Sequence, residues 1–192
     1  MRVEGLGKRY GRRWLFRDVS FELQAGQRLA ILGQNGSGKS TLLRLLAGLL
    51  SPTEGRVVPP DGDPRTTLGY AALEMALYSS LTVVEHLRLA ADLRGCDARS
   101  DELLDMVGLT YARELSAGQL STGMKARLKL AMAIQPRPAV LLLDEPSAAL
   151  DEQGRALVAQ IAQEQTARGA LVVATNDPQE RSLATHELAL EN

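Results

Sequence analysis

The order of apolar and polar residues along the chain predicts several β-strands. Residues 28–32, 139–143 and 170–175 are largely apolar runs, which are typical of parallel strands buried on both faces. Residues 19–24 alternate between apolar and polar side chains, which predicts a strand with one buried face. Residues 15–16 are assigned to a separate short strand that precedes it.

Helical spacing governs much of the remaining chain. After residue 41, leucines recur at intervals that place them on one helical face: Leu42, Leu43, Leu45, Leu46, Leu49 and Leu50. Residues 51–55 are the turn expected to end this helix, and the proline-rich residues 59–64 are expected to form a loop. A short strand is predicted at residues 68–71, and residues 81–134 are predicted to be mostly helical.

Composition narrows the possible classes of function. A chain of 192 residues, of which 45% are hydrophobic, is expected to form one α/β domain. The formal net charge of -1 gives no bulk electrostatic reason to expect nucleic acid as a partner. Cys96 is alone, which excludes a disulfide framework and favours a reducing cytosolic setting. Because no apolar run is long enough to span a bilayer and no signal peptide is expected, a membrane role would require a partner.

Residues 33–41 (GQNGSGKST) match the phosphate-loop pattern G-x-x-x-x-G-K-[S/T] in full, between a predicted strand and a predicted helix. Glycines let successive backbone N–H groups converge on an anion, and the helix N-terminus adds partial positive charge. We expect Lys39 to contact the outer phosphates of a nucleotide and the Ser40 hydroxyl to bind Mg²⁺. The alternative is a glycine-rich turn with a solvent-exposed lysine. The predicted nucleotide-binding residues of the loop are Gly33, Asn35, Gly36, Ser37, Gly38, Lys39, Ser40 and Thr41.

Two carboxylates follow the predicted strand at residues 139–143. Asp144 and Glu145, before Pro146, would lie at the carboxyl end of a central parallel strand, where α/β folds place their ligands. Asp144 can hold Mg²⁺ directly or through water. Glu145 can polarise a water for in-line attack on a γ-phosphate. The alternative is an acidic turn, but a phosphate loop requires an acidic partner of this kind.

Two similar segments stand in tandem, LSAGQ at residues 115–119 and LSTGM at residues 120–124. Each could be no more than a helix N-cap beside a glycine, with Ser121 capping a helix over residues 123–134. The pattern of that helix gives it a basic side and a buried apolar side. The basic residues are Lys125, Arg127 and Lys129, and the apolar ones are Leu128, Ala131 and Ile134.

Over nearly its whole length, the sequence resembles the ATP-binding subunit of an ABC transporter. The resemblance rests on the phosphate loop, residues 120–124 with the basic and apolar helix, residues 141–146 (LLLDEP) and residues 149–151 (ALD), in this order and spacing. It implies an α/β fold, namely a P-loop NTPase core with a mostly parallel sheet and a small antiparallel β portion. It also implies a helical subdomain at about residues 75–135 that carries the signature motif. Residues 1–192 would then be a single ABC-type ATP-binding domain.

The resemblance also implies roles for residues outside the phosphate loop. Spacing alone favours packing for Tyr10, but the family implies that its ring stacks on adenine. The family implies a head-to-tail dimer, with ATP between one subunit's phosphate loop and the other's signature, and with Asp151 at the interface. Here the signature is Leu120, Ser121, Thr122, Gly123 and Met124, because only this copy is followed in register by the basic and apolar helix.

The partners that the resemblance implies are a transmembrane permease subunit and a second ATP-binding subunit, identical or different. The chain would then lie in the cytoplasm, peripheral to the inner face of the cell membrane. No nucleic acid is expected as a partner.

Two positions depart from the family's pattern. Leu73 stands where glutamine is usual after the strand at residues 68–71, and a leucine can neither ligate Mg²⁺ nor contact the attacking water. Asn176 stands where histidine is expected after the strand at residues 170–175. Its amide can hydrogen-bond a phosphate oxygen but cannot carry charge. ATP binding should survive both changes, whereas hydrolysis and coupling through the usual glutamine are put in question.

We therefore expect a transport ATPase subunit that binds and hydrolyses Mg·ATP at a low basal rate, with Glu145, Lys39 and Asn176 in catalytic roles. The short chain and the Gly-Met-Lys form of the signature favour export systems, including haem export. The alternative is a switch that dimerises on ATP with little hydrolysis of its own, which Leu73 and Asn176 favour. A P-loop kinase or GTPase is disfavoured, because neither uses the signature and the sequence contains no guanine-reading Asn-Lys-x-Asp.

Overall fold

The computed structural model describes residues 1–190, which form eight strands in two sheets. The strands are β1 (Arg2–Tyr10), β2 (Arg13–Glu22), β3 (Arg28–Leu32), β4 (Glu54–Val58), β5 (Leu68–Ala72), β6 (Val140–Asp144), β7 (Ala170–Ala174) and β8 (His186–Ala189). The order β5-β6-β7-β3-β8 makes a parallel sheet, and the order β2-β1-β4 makes an antiparallel one. This confirms the predicted α/β class with a parallel core sheet and a small antiparallel portion.

The described residues also form seven α-helices. They are α1 (Lys39–Leu46), α2 (Pro64–Thr67), α3 (Val83–Arg94), α4 (Ser100–Met106), α5 (Thr122–Ile134), α6 (Glu152–Thr166) and α7 (Pro178–Arg181). The helices α3, α4 and α5 lie between β5 and β6 in the chain, within the stretch predicted to be mostly helical. Within residues 1–190, no helix combines the length and the apolar character needed to cross a membrane.

The parallel sheet is buried on both faces because its central strands are apolar without alternation. In β6, Leu141 and Leu143 belong to a core shared with α5 and α6, whereas Leu142 belongs to a second core shared with α1 and the antiparallel sheet. Since the five strands are parallel, their carboxyl ends meet at one edge of the sheet. The phosphate loop, the Asp144–Glu145 pair and Asn176 all lie at this edge, at the ends of β3, β6 and β7.

The prediction of two separate strands at residues 15–16 and 19–24 is wrong, because β2 runs without a break from the first segment into the second and ends at Glu22. Its pairing with β1 shifts register between the Leu6–Val19 pair and the Lys8–Phe16 pair. Asp18, next to Val19, has a φ of 57°. This bulge brings Phe16 and Val19 into the same core although they are three residues apart, which interrupts the period of two.

Other boundaries of the elements also differ from the prediction. Helix α1 ends at Leu46, and Leu49 is 63% exposed, so the leucine repeat overstates this helix by about one turn. The predicted turn at residues 51–55 leads directly into β4, whose side chains are mostly exposed. Pairing with β1 makes this segment a strand, and a burial pattern could not predict it. Strand β8 and the short helices α2 and α7 were not predicted either.

Candidate nucleotide-binding site

The phosphate loop joins β3 to α1 at the carboxyl edge of the parallel sheet. Its last glycine, Gly38, has a φ of 102°, and a Cβ at this position would lie 2.7 Å from Leu15 Cγ. Only glycine adopts this φ readily and fits without a Cβ in the space beside Leu15. Because α1 begins at Lys39, the loop opens at a helix N-terminus, where backbone N–H groups lack partners within the helix.

Lys39 is a buried cation held by the loop itself. Its side chain is 6% exposed, and its Nζ donates to Gly33 O at 2.7 Å and to Gln34 O at 3.4 Å. Among residues 1–190, no carboxylate lies within ion-pair distance of this ammonium. An anion in the loop would supply the opposite charge that the protein does not.

Asp144 ends β6 with a side chain that is 8% exposed and an Oδ1 that is buried without a hydrogen-bond partner among the described residues. Burial raises the pKa of Asp144 above its usual value, against the opposing effect of a hydrogen bond with Ser40. A buried carboxylate oxygen with unused capacity next to a hydroxyl is a donor set that suits Mg²⁺. The residues present therefore fit the predicted metal.

Glu145 follows in a strained conformation. Its φ is 45°, which a residue with a side chain rarely adopts, and its N–H donates to Ala174 O at 2.9 Å. Backbone strain of this kind costs about 1–3 kcal/mol and is found mainly at functional sites. The turn leaves the Glu145 carboxylate exposed beside the buried Asp144.

A cleft of about 380 Å³ connects these groups. On one side it is lined by residues of the phosphate loop and the start of α1, namely Asn35, Gly36, Gly38, Lys39, Ser40 and Thr41. On the other side it is lined by Ala72, Leu73, Glu74, Asp144 and Glu145. Of the other predicted loop residues, Ser37 is 1% exposed and packs inside the loop, and Gly33 supplies the carbonyl that holds Lys39.

Asn176, after β7, reaches the same loop. With the nitrogen facing Gly33 O at 2.6 Å, the amide oxygen accepts from Lys39 Nζ at 3.0 Å and faces the Asn35 side-chain amide at 2.9 Å. The structure therefore brings Asn176 together with Gly33, Asn35 and Lys39, which the sequence predicts to bind the nucleotide.

The signature segment lies outside this cleft. The Ser121 hydroxyl accepts from Met124 N at 3.2 Å and so caps α5. The helix cap that the sequence offers as an alternative interpretation of this segment is therefore present. In the upstream copy, Ser116 forms a capping box with Gln119. Ser121 and Thr122 are exposed, Gly123 and Met124 are half-buried, and Leu120 is buried. None of these five residues lines the cleft of its own chain.

Asp151 is an exposed residue with two local partners. Its Oδ1 accepts from Gly154 N at 2.9 Å, which caps α6, and also from Arg127 Nη2 at 3.0 Å. The backbone hydrogen bond and the guanidinium lower the pKa of Asp151. This pair links the helix that follows the signature to the turn that follows Glu145.

Tyr10 is 56% exposed at the end of β1, with Lys8 Nζ 5.3 Å from its ring centroid. The packing role that spacing favoured is therefore wrong, since the ring is not buried in a core. Tyr10 does not line the cleft, whereas Leu15 of the next strand does. Sequence reasoning missed Leu15 because an apolar strand residue has no signal that separates a ligand contact from core packing.

Leu73 is 44% exposed and lines the cleft, and its neighbour Glu74 pairs with Arg44 at 2.5 Å. The Leu73 carbonyl accepts a hydrogen bond from Lys129 Nζ. The prediction that Lys129 belongs to a basic side of α5, opposite the buried apolar side, is wrong. Its side chain is 7% exposed, because the segment after β5 covers it.

The parallel sheet, the phosphate loop and the paired carboxylates define a nucleotide-binding protein of the P-loop class. The family model described as ABC transporter matches residues 16–148, so this chain belongs to the ABC transporter family. It is the ATP-binding subunit of a transporter and an ATPase of that family. These findings confirm the resemblance and the prediction that ATP is the nucleotide.

Individual relatives agree with this assignment. The chain is 40% identical over 187 residues to the cytochrome c biogenesis ATP-binding export protein CcmA of Rhodopseudomonas palustris, and the match covers 93% of each protein. A solved ATP-binding subunit of an ABC transporter superposes with a TM-score of 0.88 at 27% identity, covering 99% of this chain and 85% of that one. A dimeric bacterial ABC transporter cassette also gives a TM-score of 0.88, at 25% identity, covering 98% of this chain and 93% of that one.

Proposed function

We propose that this subunit binds Mg·ATP in the cleft and hydrolyses it at the interface of a head-to-tail dimer, which drives transport by a membrane partner. The observation that carries the proposal is the meeting of Lys39, Ser40, Asp144 and Glu145 around one cleft of about 380 Å³. They come from segments that are far apart in the sequence, and two of them are buried. Buried charged groups with unused capacity are unusual in a protein unless a ligand completes them.

Different residues of the cleft would bind the nucleotide and carry out its hydrolysis. Lys39 and the backbone N–H groups of the loop would hold the β- and γ-phosphates, and Ser40 and Asp144 would hold Mg²⁺. When bound, the metal supplies positive charge that stabilises the phosphoryl group during transfer. Because Leu15 packs directly against Gly38, the loop is held in shape, and little reorganisation is required when the phosphates bind.

Glu145 is the residue we assign to the attacking water. Its carboxylate is exposed to the cleft, while its backbone is fixed to Ala174 by a 2.9 Å hydrogen bond. It would accept a hydrogen bond from the water and align that water with the γ-phosphate. Asn176, from the adjacent strand end, would donate to a phosphate oxygen, because its amide already lies among Gly33, Asn35 and Lys39.

The signature segment is the reason for proposing a dimer. Ser121 and Thr122 are exposed at the start of a 13-residue helix, and they do not line the cleft of their own chain. A helix N-terminus attracts phosphate, so this one would complete the site of a second subunit. The solved relative that is a dimer supports this arrangement. Asp151 would lie at the same interface.

The remaining parts of the proposal follow the family. A transmembrane permease would be the membrane partner, holding the subunit at the cytoplasmic face, and the dimer could be formed with an identical or a different subunit. Export is the direction we propose, because the CcmA relative is named as an export protein. Residues 75–135 would act as a helical subdomain within one ATP-binding domain of residues 1–192, and Tyr10 would stack on adenine.

A second candidate function is an ATP-dependent dimerisation switch with little hydrolysis. Leu73 and Asn176 favour it, since the first offers no polar group to the water and the second no charge to the phosphate. Glu145 favours the ATPase, because a switch has no use for an exposed carboxylate in a strained turn beside the cleft.

The test measures Mg·ATP binding, ATP-dependent dimerisation and ATP turnover, alone and with the permease in lipid. The variant is Glu145→Gln, and the control is Glu152→Gln, which changes an exposed carboxylate in the first turn of α6. Turnover that Glu145→Gln removes and Glu152→Gln leaves supports the ATPase. Binding and dimerisation without turnover in the parent supports the switch. If the parent does not bind Mg·ATP, both are wrong.

A further inference from the structure

Lys129 is a buried ammonium to which the site described above gives no role. Its side chain is 7% exposed on α5, and within residues 1–190 no carboxylate lies within ion-pair distance of its Nζ. The Leu73 carbonyl is its hydrogen-bond partner. Burial lowers the pKa of Lys129, and the charge of Lys125 lowers it further. Burying a charge costs free energy that an apolar residue would not, so packing alone does not account for a lysine here.

The carbonyl that Lys129 binds begins the segment linking the cleft to the signature. Leu73 lines the cleft. Six residues further on, Ser79 O accepts from Gly118 N at 2.9 Å, and Leu81 O accepts from Ala117 N at 2.8 Å. A Cβ on Gly118 would lie 3.1 Å from Ser79 O, so the two backbones touch directly. Residues 73–81 are therefore attached at their far end to the approach to the signature.

Lys129 attaches the near end of the same segment to the signature helix. Lys129, Asp144 and Glu145 are among the residues that line one small cavity of about 20 Å³. The bond between Lys129 and Leu73 therefore lies beside the acidic end of the cleft. Because Leu73 lines the cleft, a ligand that displaced Leu73 would act on α5 through its bond to Lys129.

We propose that Lys129 is a positioning residue that ties residues 73–81 to the signature helix. It thereby couples nucleotide binding in the cleft to the conformation of residues 121–124. The side chain of Leu73 has no polar atom that could bind the nucleotide. Its backbone carbonyl, however, is bonded to the charged side chain of Lys129, so a displacement of Leu73 would be passed to α5. The communication with the signature rests on the proposed function, but the tie itself does not.

The first test is amide hydrogen exchange of the nucleotide-free protein, comparing Lys129→Met with the parent. Methionine keeps the apolar stem but removes the charge and the donors. We expect exchange in residues 73–78 to rise by about fivefold or more, as for a segment that has lost one of its attachments. The thermal midpoint should be unchanged or higher, since an apolar side chain replaces a buried charge. Lys129→Arg, which keeps a charged donor, should retain most of the protection.

The matched control is Lys125→Met, one helical turn away on the same face of α5 and with no bond to Leu73. It should leave exchange in residues 73–78 at the parent value. If Lys129→Met also leaves that exchange unchanged, the tie is absent and the proposal is overturned. A rise in exchange spread over the whole chain with a lower thermal midpoint would overturn it too, because Lys129 would then only support packing.

The second test adds Mg·ATP. In the parent, Mg·ATP should change exchange in residues 121–127, and in Lys129→Met that change should be lost. The apparent KM for Mg·ATP should stay within about twofold of the parent value while kcat falls, which separates positioning from substrate binding. If Mg·ATP changes residues 121–127 equally in both proteins, Lys129 does not communicate with the signature. If the parent fails to bind Mg·ATP, the proposed function fails, but the nucleotide-free experiment still tests the tie.

Discussion

The phosphate-loop side of the molecule and the signature segment differ in whether their polar groups have partners within the chain. Lys39 and Asp144 are 6% and 8% exposed, one without a carboxylate partner and the other with an orphaned Oδ1 among the described residues. Ser121 is exposed, and its hydroxyl is already used by the 3.2 Å bond that caps α5. The first region is built for a ligand within one chain, whereas the second is complete as local structure and needs a partner to have a function.

The structure therefore supports a ligand role more strongly for Lys39 and Asp144 than for Ser121. A helix cap is worth about 1 kcal/mol, so Ser121 has a structural reason to be present even without a ligand. No comparable local reason exists for burying Lys39 and Asp144. Changes in the first region should therefore affect ATP binding and turnover, whereas changes in the second should affect assembly and, where the cap is lost, cost about 1 kcal/mol of stability.

The largest effect is expected from Glu145→Gln. If Glu145 aligns the water, the variant should keep Mg·ATP binding but lose about 10²–10⁴ in turnover, the range for a general base. It should also accumulate an ATP-bound dimer, because hydrolysis would normally open the interface. Single-turnover hydrolysis and sedimentation with Mg·ATP measure the two effects. A variant that stays monomeric with Mg·ATP would contradict the shared-site model.

The next effect is on affinity, from Lys39→Ala. Charge-assisted hydrogen bonds contribute about 1.5–3 kcal/mol, so Mg·ATP should bind roughly 10- to 150-fold more weakly. The fold should survive, because the variant removes a buried charge rather than exposing one. Calorimetric titration with Mg·ATP and a thermal melt check both parts. Unchanged affinity would show that Lys39 does not reach the phosphates.

A charge placed in the signature tests the second region. Ser121→Arg puts a cation at the positive end of α5, where we expect the partner's γ-phosphate to lie, and should weaken ATP-dependent dimerisation by at least about tenfold. ATP binding by the monomer should not change. The matched control is Ser116→Arg, which also removes a helix cap but lies in the upstream copy. If Ser116→Arg were the more damaging change, the signature would have to be moved to residues 115–119.

The two regions also differ in how well the sequence predicts them. Lys39, Ser40, Asp144 and Glu145 are predictable because each stands at a fixed spacing from a strand end, and a parallel sheet brings strand ends together. The burial of Lys129 is not predictable, because helical spacing puts it beside Lys125 on the side predicted to be basic, opposite the buried apolar side. Its ammonium instead binds the carbonyl of Leu73, a residue 56 positions earlier in the chain. The role of Leu15 is missed for a similar reason, since its contact with Gly38 joins the antiparallel sheet to the phosphate loop.

The smallest and most specific effect concerns the two positions that depart from the family, Asn176 and Leu73. Asn176 already lies against Gly33 and Lys39, so it keeps a neutral donor near the phosphates. Loss of a whole transition-state donor costs about 10²–10³ in rate. Because a neutral donor remains, Asn176→His should raise turnover by only about tenfold, through a stronger hydrogen bond to the developing charge.

Leu73→Gln would add a polar group at the same cleft, and the two changes act on one water and one phosphate. Changes that share partners are not independent, so the double variant should gain more than either single variant does. Single-turnover hydrolysis by the parent, both single variants and the double variant at saturating Mg·ATP measures this coupling. If the parent already turns over rapidly and the double variant is no faster, other residues compensate for both departures, and the switch loses its main support. If the double variant hydrolyses ATP faster, and its gain in rate exceeds the sum of the two single gains, Leu73 and Asn176 together cause the low basal rate.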